Sequence, residues 1–511
     1  MSSESVPAAG GQDEGLDRRL LAIASVVVLG AIMSILDTTV VNVAINTLAR
    51  DFDTDLATIQ WIVTGYTLAL ASVIPITGWA ADRFGTKRLY MLAIALFVAG
   101  SALCGAAWSA ESLIFFRVLQ GLGGGMLMPA GMTILTRAAG PGRVGRVMAI
   151  IGVPMMLGPI LGPILGGWLV DDFSWRWIFF INLPIGAVAF ALSLRILDKD
   201  QPQAGERLDV LGLALLSPGL ALAIYGLAES ASHGGFRAVG VLAPMLIGFA
   251  LIIGFVFHAL RTPNPLIDLR LFKNRTFAVA SGTLMLMIIS VFGAMLLLPL
   301  YLQAVRGESA FDSGLLLAPQ GIGAMIAMPI AGQLADKTGI GKLVIPGLFV
   351  IGLTFVGLTQ LTGDTSYYTL SAILFFQGIG MGFTMMPLMT GALQTLRRIQ
   401  VARASTTLNI IQQVGASIGT AVMSVILTVA LRDLFPQGTG GTDTGLGGTG
   451  ANLPLEVRDL MTTAFTHTFW WATALIIPAL IAAFLLPRRK PKPAEDEEEG
   501  GTDAAPVLIH A

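Results

Sequence analysis

The sequence predicts an all-α integral membrane protein with fourteen spanning helices. Three observations carry this reading. Of 511 residues, 54% are hydrophobic and only 12% charged, about half the charged share of a soluble domain. Apolar runs of about 20 residues, the length that crosses a bilayer, recur along the chain. Basic residues are concentrated in alternate loops, as the positive-inside rule requires.

Residues 1–17 are polar and acidic, and 1–19 read as a cytoplasmic tail. The first apolar run is too long for the h-region of a cleavable signal, so it is a span that stays in the mature protein. The spans are expected at 20–46, 57–79, 88–108, 112–134, 144–170, 175–196, 208–229, 238–260, 276–304, 313–334, 341–361, 368–391, 400–431 and 467–487. Helices packed among helices are apolar nearly all round, so periodicity adds little. Loop charge tests the division instead. With the N-terminus inside, 24 of the 31 Lys and Arg residues fall on the cytoplasmic side. The outer loops hold Arg50, Arg176, Arg237, Arg306, Arg432 and Arg458, and Arg117 alone lies within a span. A wrong span count would scramble this asymmetry from the error onward. The prediction is a multi-pass protein of the bacterial inner membrane with both termini cytoplasmic.

An internal repeat divides the chain. Gly78-Trp-Ala-Ala-Asp82-Arg83-Phe-Gly85-Thr-Lys87-Arg88 follows span two, and Gly332-Gln-Leu-Ala-Asp336-Lys337-Thr-Gly339-Ile-Gly-Lys342 follows span ten. Each has Asp four residues after the first Gly, then a base, then Gly. The expected plan is an N-terminal six-helix bundle at 20–196, an inserted pair at 208–260 and a C-terminal six-helix bundle at 276–487. Repeated halves around a midplane site are a common transporter plan. Within the second half an external loop spans 432–466. Its Gly/Thr-rich part, 438–450, is a flexible linker, and 454–466 reads as a short amphipathic helix on the outer surface. Residues 488–511 form a Pro- and acid-rich cytoplasmic tail expected to be disordered.

Composition also excludes. The net charge is −1, so no basic field points to nucleic acid. Cys104 is the sole cysteine, and His233, His258, His467 and His510 are scattered, so neither a disulfide nor a metal cluster is expected. No nucleophile–base set suggests an enzyme, and no cofactor is expected.

All 32 acids lie in loops, tails or helix ends except Asp37. A central Asp costs about 2.5–3.5 kcal/mol on insertion scales. Ser34, Thr38, Asn42 and Asn46 recur every fourth residue beside it, a polar stripe on one helical face that is expected to face a cavity. Arg117 lies about 9 Å, and Asp37 about 12 Å, from the outer ends of their spans at the helical rise. At similar depth the two can meet. A low dielectric favours the neutral acid and a guanidinium favours the carboxylate, so Asp37 is a candidate for titration during transport, against the plainer reading of a packing ion pair. Arg117 has its own plain reading, a structural tie to backbone carbonyls.

Gly158, Pro159, Gly162, Pro163, Gly166 and Gly167 crowd span five. Small residues every fourth position let helices approach closely, and the prolines interrupt the hydrogen-bond ladder. Packing accounts for part of this run, and a sliding or gating helix for its density. Gly121, Gly123, Gly124 and Gly125 do not make a phosphate loop, since no strand precedes them and no Lys-Ser/Thr follows. Met381, Met385, Met386 and Met389 span two helical turns. They suit a core and also a promiscuous apolar cavity.

These segments resemble the major facilitator superfamily, specifically its fourteen-spanner drug:proton antiporters of the EmrB/QacA type. The resemblance covers about residues 20–490. Leu36 to Ala44 is similar to the family's first-span motif, and Gly78 to Arg88 to the loop after span two. Arg117-Val-Leu-Gln120-Gly121-Leu-Gly123-Gly124 is similar to the span-four motif linked to proton transfer. Gly158 to Gly167 resembles the span-five antiporter motif, and Trp175 to Gly186 a segment typical of the fourteen-spanner group; Pro265 to Phe272 also fits. The resemblance implies the major facilitator fold of two six-helix bundles plus two inserted helices. It implies that Asp37 binds proton and cationic substrate, that Arg117 assists proton transfer, and that Asp82, with Arg83 and Arg88 beside it, locks the outward-open state. There are departures. Asn46 stands where the first motif usually ends in Pro, Thr86 replaces a base, and Gln377 stands where span twelve often carries Arg. Span thirteen offers Asn409, Gln412 and Gln413 but no acid.

The expected function is proton-coupled export of lipophilic neutral or monocationic compounds by alternating access. Asp37 and Arg117 would couple, and Ser34, Thr38, Asn42, Asn409, Gln412, Gln413 and Met385 would line the cavity. Asp82, Arg83, Gly85, Arg88 and the span-five glycines and prolines would gate. The proton gradient would supply energy and lipid the surroundings, with a monomer as the working unit. The alternative is a dedicated exporter of a lipid, antibiotic or metabolite. A non-transporting sensor fits less well, because a sensor needs no matched halves with glycine-hinged helices.

Overall fold

The computed structural model describes residues 17–54, 56–139, 158, 161–162, 164–170, 172–199, 207–232, 236–396, 400–434 and 454–488. Its described elements are helical. The N-terminal half contains α1 (Arg18–Asp51), α2 (Leu56–Phe84), α3 (Thr86–Gly105), α4 (Ala110–Ala139), the short α5 (Trp177–Phe180) and α6 (Asn182–Ile196). Next come the paired α7 (Val210–Ser232) and α8 (Val239–Arg261), then a 3-10 turn at Leu269–Lys273. The C-terminal half contains α9 (Arg275–Ala304), α10 (Ala310–Lys337), α11 (Gly341–Leu358), α12 (Tyr367–Gln394), α13 (Val401–Leu434) and α14 (Leu455–Ala483). Thirteen candidate spans are present among the described residues, with α5 and α6 forming one span. Span five, expected at 144–170, falls largely outside them, as do Pro159, Pro163, the loop at 438–450 and most of both tails.

Helices alternate in direction, so their termini lie at two ends of the bundle. We call the end carrying Asp82, Lys87 and Arg137 the basic end. The turn between α2 and α3 there is a single residue, Gly85, with φ of 92°. A side chain is strained in that left-handed conformation, so glycine is required. Lys87 on the first turn of α3 donates to the carbonyls of Leu194 (2.9 Å) and Leu197 (2.7 Å), capping the negative end of α6.

Glycine-mediated backbone contact organises each half. A methyl group added at Gly121 would lie 2.6 Å from the Tyr66 carbonyl oxygen, and one at Gly123 would lie 2.5 Å from the Phe97 nitrogen. α4 is therefore pressed between α2 and α3, and its glycines are packing surfaces. The second half repeats the arrangement. Gly378 meets the Gln320 carbonyl, and Gly380 meets Ile351, placing α12 between α10 and α11. The interval separating Gly78 from Gly332 also separates Tyr66 from Gln320 and Phe97 from Ile351, which extends the sequence repeat into three dimensions.

The inserted pair covers one side of the seam between halves. Ser217 of α7 donates to the Ser72 carbonyl of α2 at 2.6 Å, and Tyr225 stacks on Trp61 at 5.6 Å between centroids. Leu216 and Leu220 pack in one apolar cluster with Trp79 of α2 and with Ile410 and Val414 of α13. α8 lies outside α7 and is the least enclosed of the described spans.

One expectation is corrected. Residues 454–466 do not form a separate surface helix. From Leu455 they are the opening turns of α14, which runs unbroken to Ala483. Met461, Ala464 and Phe465 are buried, and the Phe465 ring meets Tyr301 of α9 at 5.8 Å. Burial of one face against α9 carries the helix on from the bilayer, where an apolar/polar pattern alone reads as a surface helix.

Candidate functional site: a buried carboxylate network

α1 carries Asp37 into the interior of the N-terminal half, where it is 1% exposed. Arg117 on α4 is equally buried and donates from Nη1 to Asp37 Oδ2 at 2.5 Å. These are the only buried acid and buried base among the described residues. Two amides complete the carboxylate's shell. Gln120 Nε2, one turn along α4 from Arg117, donates to Asp37 Oδ1 at 2.8 Å. Asn182 Nδ2, at the start of α6, donates to the same oxygen at 3.2 Å. Three side-chain donors thus converge on one carboxylate.

The guanidinium is held independently of Asp37. Arg117 Nε donates to the Ile62 carbonyl at 3.2 Å, and Nη1 also donates to Gln120 Oε1 at 2.9 Å. Its Cζ lies 4.1 Å from the centroid of the Tyr66 ring and 5.8 Å from that of Phe179. Cation–π contact of this kind strengthens as water is removed. The Cys104 thiol completes the surroundings, 3.5 Å from Gln120 Oε1.

Local sequence explains how α6 delivers Asn182. Pro184 has no N–H, so the Phe180 carbonyl loses its helical partner, and the chain turns at Ile181 between α5 and α6. Asn182 sits at this break, fully buried. Its Nδ2 also donates to Ser101 Oγ of α3 at 3.1 Å, and Ser101 donates to the Phe179 carbonyl at 2.9 Å.

The structure thus brings Asp37 and Arg117 together. It adds Gln120 and Asn182, which the motifs contained but to which the sequence reading assigned no role. Two members of the polar stripe meet Tyr66: Ser34 lies 3.4 Å from its hydroxyl, and Thr38, which also donates to the Ser34 carbonyl at 3.0 Å, bonds the same hydroxyl. The side chain of Asn42 lies outside the described residues. Gly158 and Gly162 of span five lie against Ile35 and Thr39 of α1. At 100° per residue this is the face opposite Asp37, so α1 is held between the span-five glycines and the carboxylate network. Gly166 is buried and Gly167 half-buried.

The C-half residues do not join this network. Asn409 of α13 faces the seam between halves, and Gln412, one turn on, packs against α12. Asn409 Nδ2 lies 3.3 Å from Met132 Sδ of α4, and Gln412 Nε2 lies 4.0 Å from Met389 Sδ. Gln413 is half-buried on the same helix. Met385 is buried, as are Met132 and Met389, whose thioethers lie beside the two amides. The repeat makes Gln377 the counterpart of Gln120, and Leu374 that of Arg117. Gln377 accepts from Gln320 at 3.1 Å. The second half therefore holds an amide pair at the positions of Tyr66 and Gln120, and an apolar residue, Leu374, at that of Arg117.

At the basic end Asp82 accepts from Arg137 Nη2 of α4 at 2.9 Å. Arg83 and Arg88 are exposed.

Residues 27–420 match the family model described as Major Facilitator Superfamily. The chain belongs to the major facilitator superfamily. It is a multi-pass membrane transporter and not an enzyme, and it resembles the EmrB-type multidrug export proteins. It is 45% identical over 493 residues to the "Multidrug resistance protein B homolog" of Mycobacterium tuberculosis, covering 93% of this chain and 91% of that one. It is 33% identical over 420 residues to "Multidrug export protein EmrB" of Escherichia coli K12, covering 82% of each. The fold matches that of the proton:xylose symporter XylE, with a TM-score of 0.58 at 13% identity, over 91% of this chain and 96% of that one. It also matches the human organic anion transporter MFSD10, with a TM-score of 0.57 at 14% identity, over 89% and 99% of the two chains.

Proposed function

We propose that this superfamily member is a proton-coupled antiporter of the bacterial inner membrane that exports lipophilic neutral or monocationic compounds. The observation that carries the reading is the Asp37–Arg117 pair: one titratable carboxylate, enclosed in the membrane part of one half, beside a cation that does not titrate. Protonation of Asp37 would leave Arg117 without its counter-charge, and an uncompensated buried charge is costly. Such a change biases a two-state equilibrium. Drug-export names among relatives at 33–45% identity support the substrate class. Asn409 and Met132 at the seam, with Gln412 and Met389 one turn on, would offer adaptable, weakly polar contacts to a lipophilic cargo.

Asp37 belongs to the N half's interior, so in this reading it binds the proton, and cargo lies at the seam. The test is efflux from proteoliposomes under an imposed pH gradient, with a panel of dyes and lipids. Wild-type protein should export lipophilic dyes, and Asp37→Asn should lose gradient-driven export while still inserting. Near-normal efflux by Asp37→Asn would remove Asp37 from the mechanism. Export restricted to lipids would replace the drug reading by a dedicated lipid exporter.

A further inference from the structure

Two amides contact the Asp37 carboxylate, and they differ in what their oxygens are doing. Gln120 Oε1 accepts from Arg117 Nη1 and from the Cys104 thiol. Asn182 Oδ1 is buried and has no partner among the described residues. The difference matters when Asp37 takes up a proton. The carboxylate then becomes a hydroxyl donor and needs an acceptor. Gln120 can offer its oxygen only by giving up Arg117. Asn182 can offer its own by turning its amide over, without releasing a cation.

We propose that Asn182 is the positioning residue through which the bundle reads the protonation state of Asp37. This rests on the reading of Asp37 as the proton site. With Asp37 ionised, Asn182 presents Nδ2 to the carboxylate and to Ser101 Oγ. An amide oxygen in that position would face two acceptors, so the observed orientation belongs to the ionised form. With Asp37 protonated, the amide turns and Oδ1 accepts the acid's proton. Ser101 then loses its donor, and its own hydroxyl turns from the Phe179 carbonyl to Asn182 Oδ1. The Phe179 carbonyl, two residues before the break at Ile181, is released. In this conformation the turned Nδ2 has no acceptor in place of the present Oδ1, so the protonated state favours a shift of α6 that finds one. A buried unsatisfied donor is costly enough to drive such a shift. Protonation is thereby passed from α1 through α6 and α3 to the α5–α6 hinge, by hydrogen-bond exchange alone.

Among the described residues, the other titratable or charged groups facing Asp37 are Arg117 of α4, Tyr66 of α2 and Cys104 of α3; α6 contributes only the amide. Arg117 keeps its charge throughout, which leaves Asp37 as the group whose state changes.

Infrared difference spectroscopy on the purified full-length protein follows the C=O stretch of protonated Asp37 as pH is varied, and Asp37→Asn identifies the band. Asn182→Leu keeps the volume and removes the amide. It should raise the pH midpoint of that band by about one unit, the size expected when a carboxylate loses one of three donors. It should also move the stretch to higher frequency, because the acid loses its acceptor. Ser101→Ala should shift the midpoint in the same direction by a smaller amount, and it decides alone if Asn182→Leu fails to fold. An unchanged midpoint and frequency in both variants would overturn the role of Asn182 and leave Asp37 as the proton site. Absence of any Asp37 band in the wild type would instead overturn the reading on which it rests.

Discussion

At the residue scale the central fact is an ion pair with almost no exposed surface. A carboxylate and a guanidinium repay their desolvation only with good geometry and further hydrogen bonds. Both are present: Asp37 has three donors, and Arg117 has two additional acceptors and an aromatic face. Removing one partner leaves the other charge uncompensated. Arg117→Met should therefore destabilise the protein by about 3–5 kcal/mol. Asp37→Leu combined with Arg117→Met should recover part of that loss, since neither charge then remains buried alone. Thermal unfolding in detergent across the cycle measures this, and a double variant as unstable as the sum of its parts would contradict the coupling. Asp37 and Arg117 were legible because charges are rare inside spans. Gln120 and Asn182 were not, because an amide in a span is unremarkable until its partner is known.

At the scale of elements, the basic end of the N half is fastened by short-range contacts among α2, α3, α4 and α6. Gly85 turns the chain in one residue, Lys87 caps α6, and Asp82 receives Arg137. The Asp82–Arg137 bond joins the ends of two helices and lies far along them from Asp37. Its expected role is to stabilise one state of the cycle, so Asp82→Asn should slow transport and leave dye affinity within about twofold, since binding is lost only through differential contacts. Arg137→Gln should reproduce this, and the double variant should be no slower than either single one. Dye titration by fluorescence, beside efflux rates, checks it; a large affinity loss at normal turnover would contradict the role. Sequence had placed Arg83 and Arg88 beside Asp82, because neighbours in the chain are visible there. Arg137 arrives from another helix by packing.

On the scale of the whole molecule, two questions follow from charge. From the asymmetry of basic residues we propose that both termini face the cytoplasm and that Gly440, within the predicted 432–466 loop, faces outside. The sole cysteine, Cys104, is buried, so a cysteine introduced at Gly440 should label with an impermeant maleimide in intact cells against a low background. Failure to label, with a control loop labelling, would overturn the topology. The second question is energy. With one buried carboxylate among the described residues, the simplest exchange is one proton for one substrate. A charge crossing 100 mV gains about 2.3 kcal/mol, and one pH unit gives about 1.4 kcal/mol per proton. A monocation leaving as a proton enters moves no net charge and feels only the pH gradient. A neutral compound feels both. Collapsing the potential at constant pH gradient should slow neutral substrates and spare monocations in the same vesicles. Equal sensitivity would mean that protons also bind elsewhere.

Sequence alone determined the properties that are local or additive along the chain. These are the apolar runs, the loops that carry bases, the repeat that divides the halves, and the two charges placed in spans. The tertiary structure decided which faces meet. It turned Asp37 into its own half, set the span-five glycines on the far side of α1, and placed Met389, not Met385, beside Gln412. It joined 455–466 to the last span and put the inserted pair on the α2–α13 side of the seam. The physical reason is common to all of these. A helix that is apolar nearly all round says little about its rotation about its own axis. That rotation is set by where glycines let backbones approach and by which buried polar groups must find one another, and both depend on helices distant in the chain.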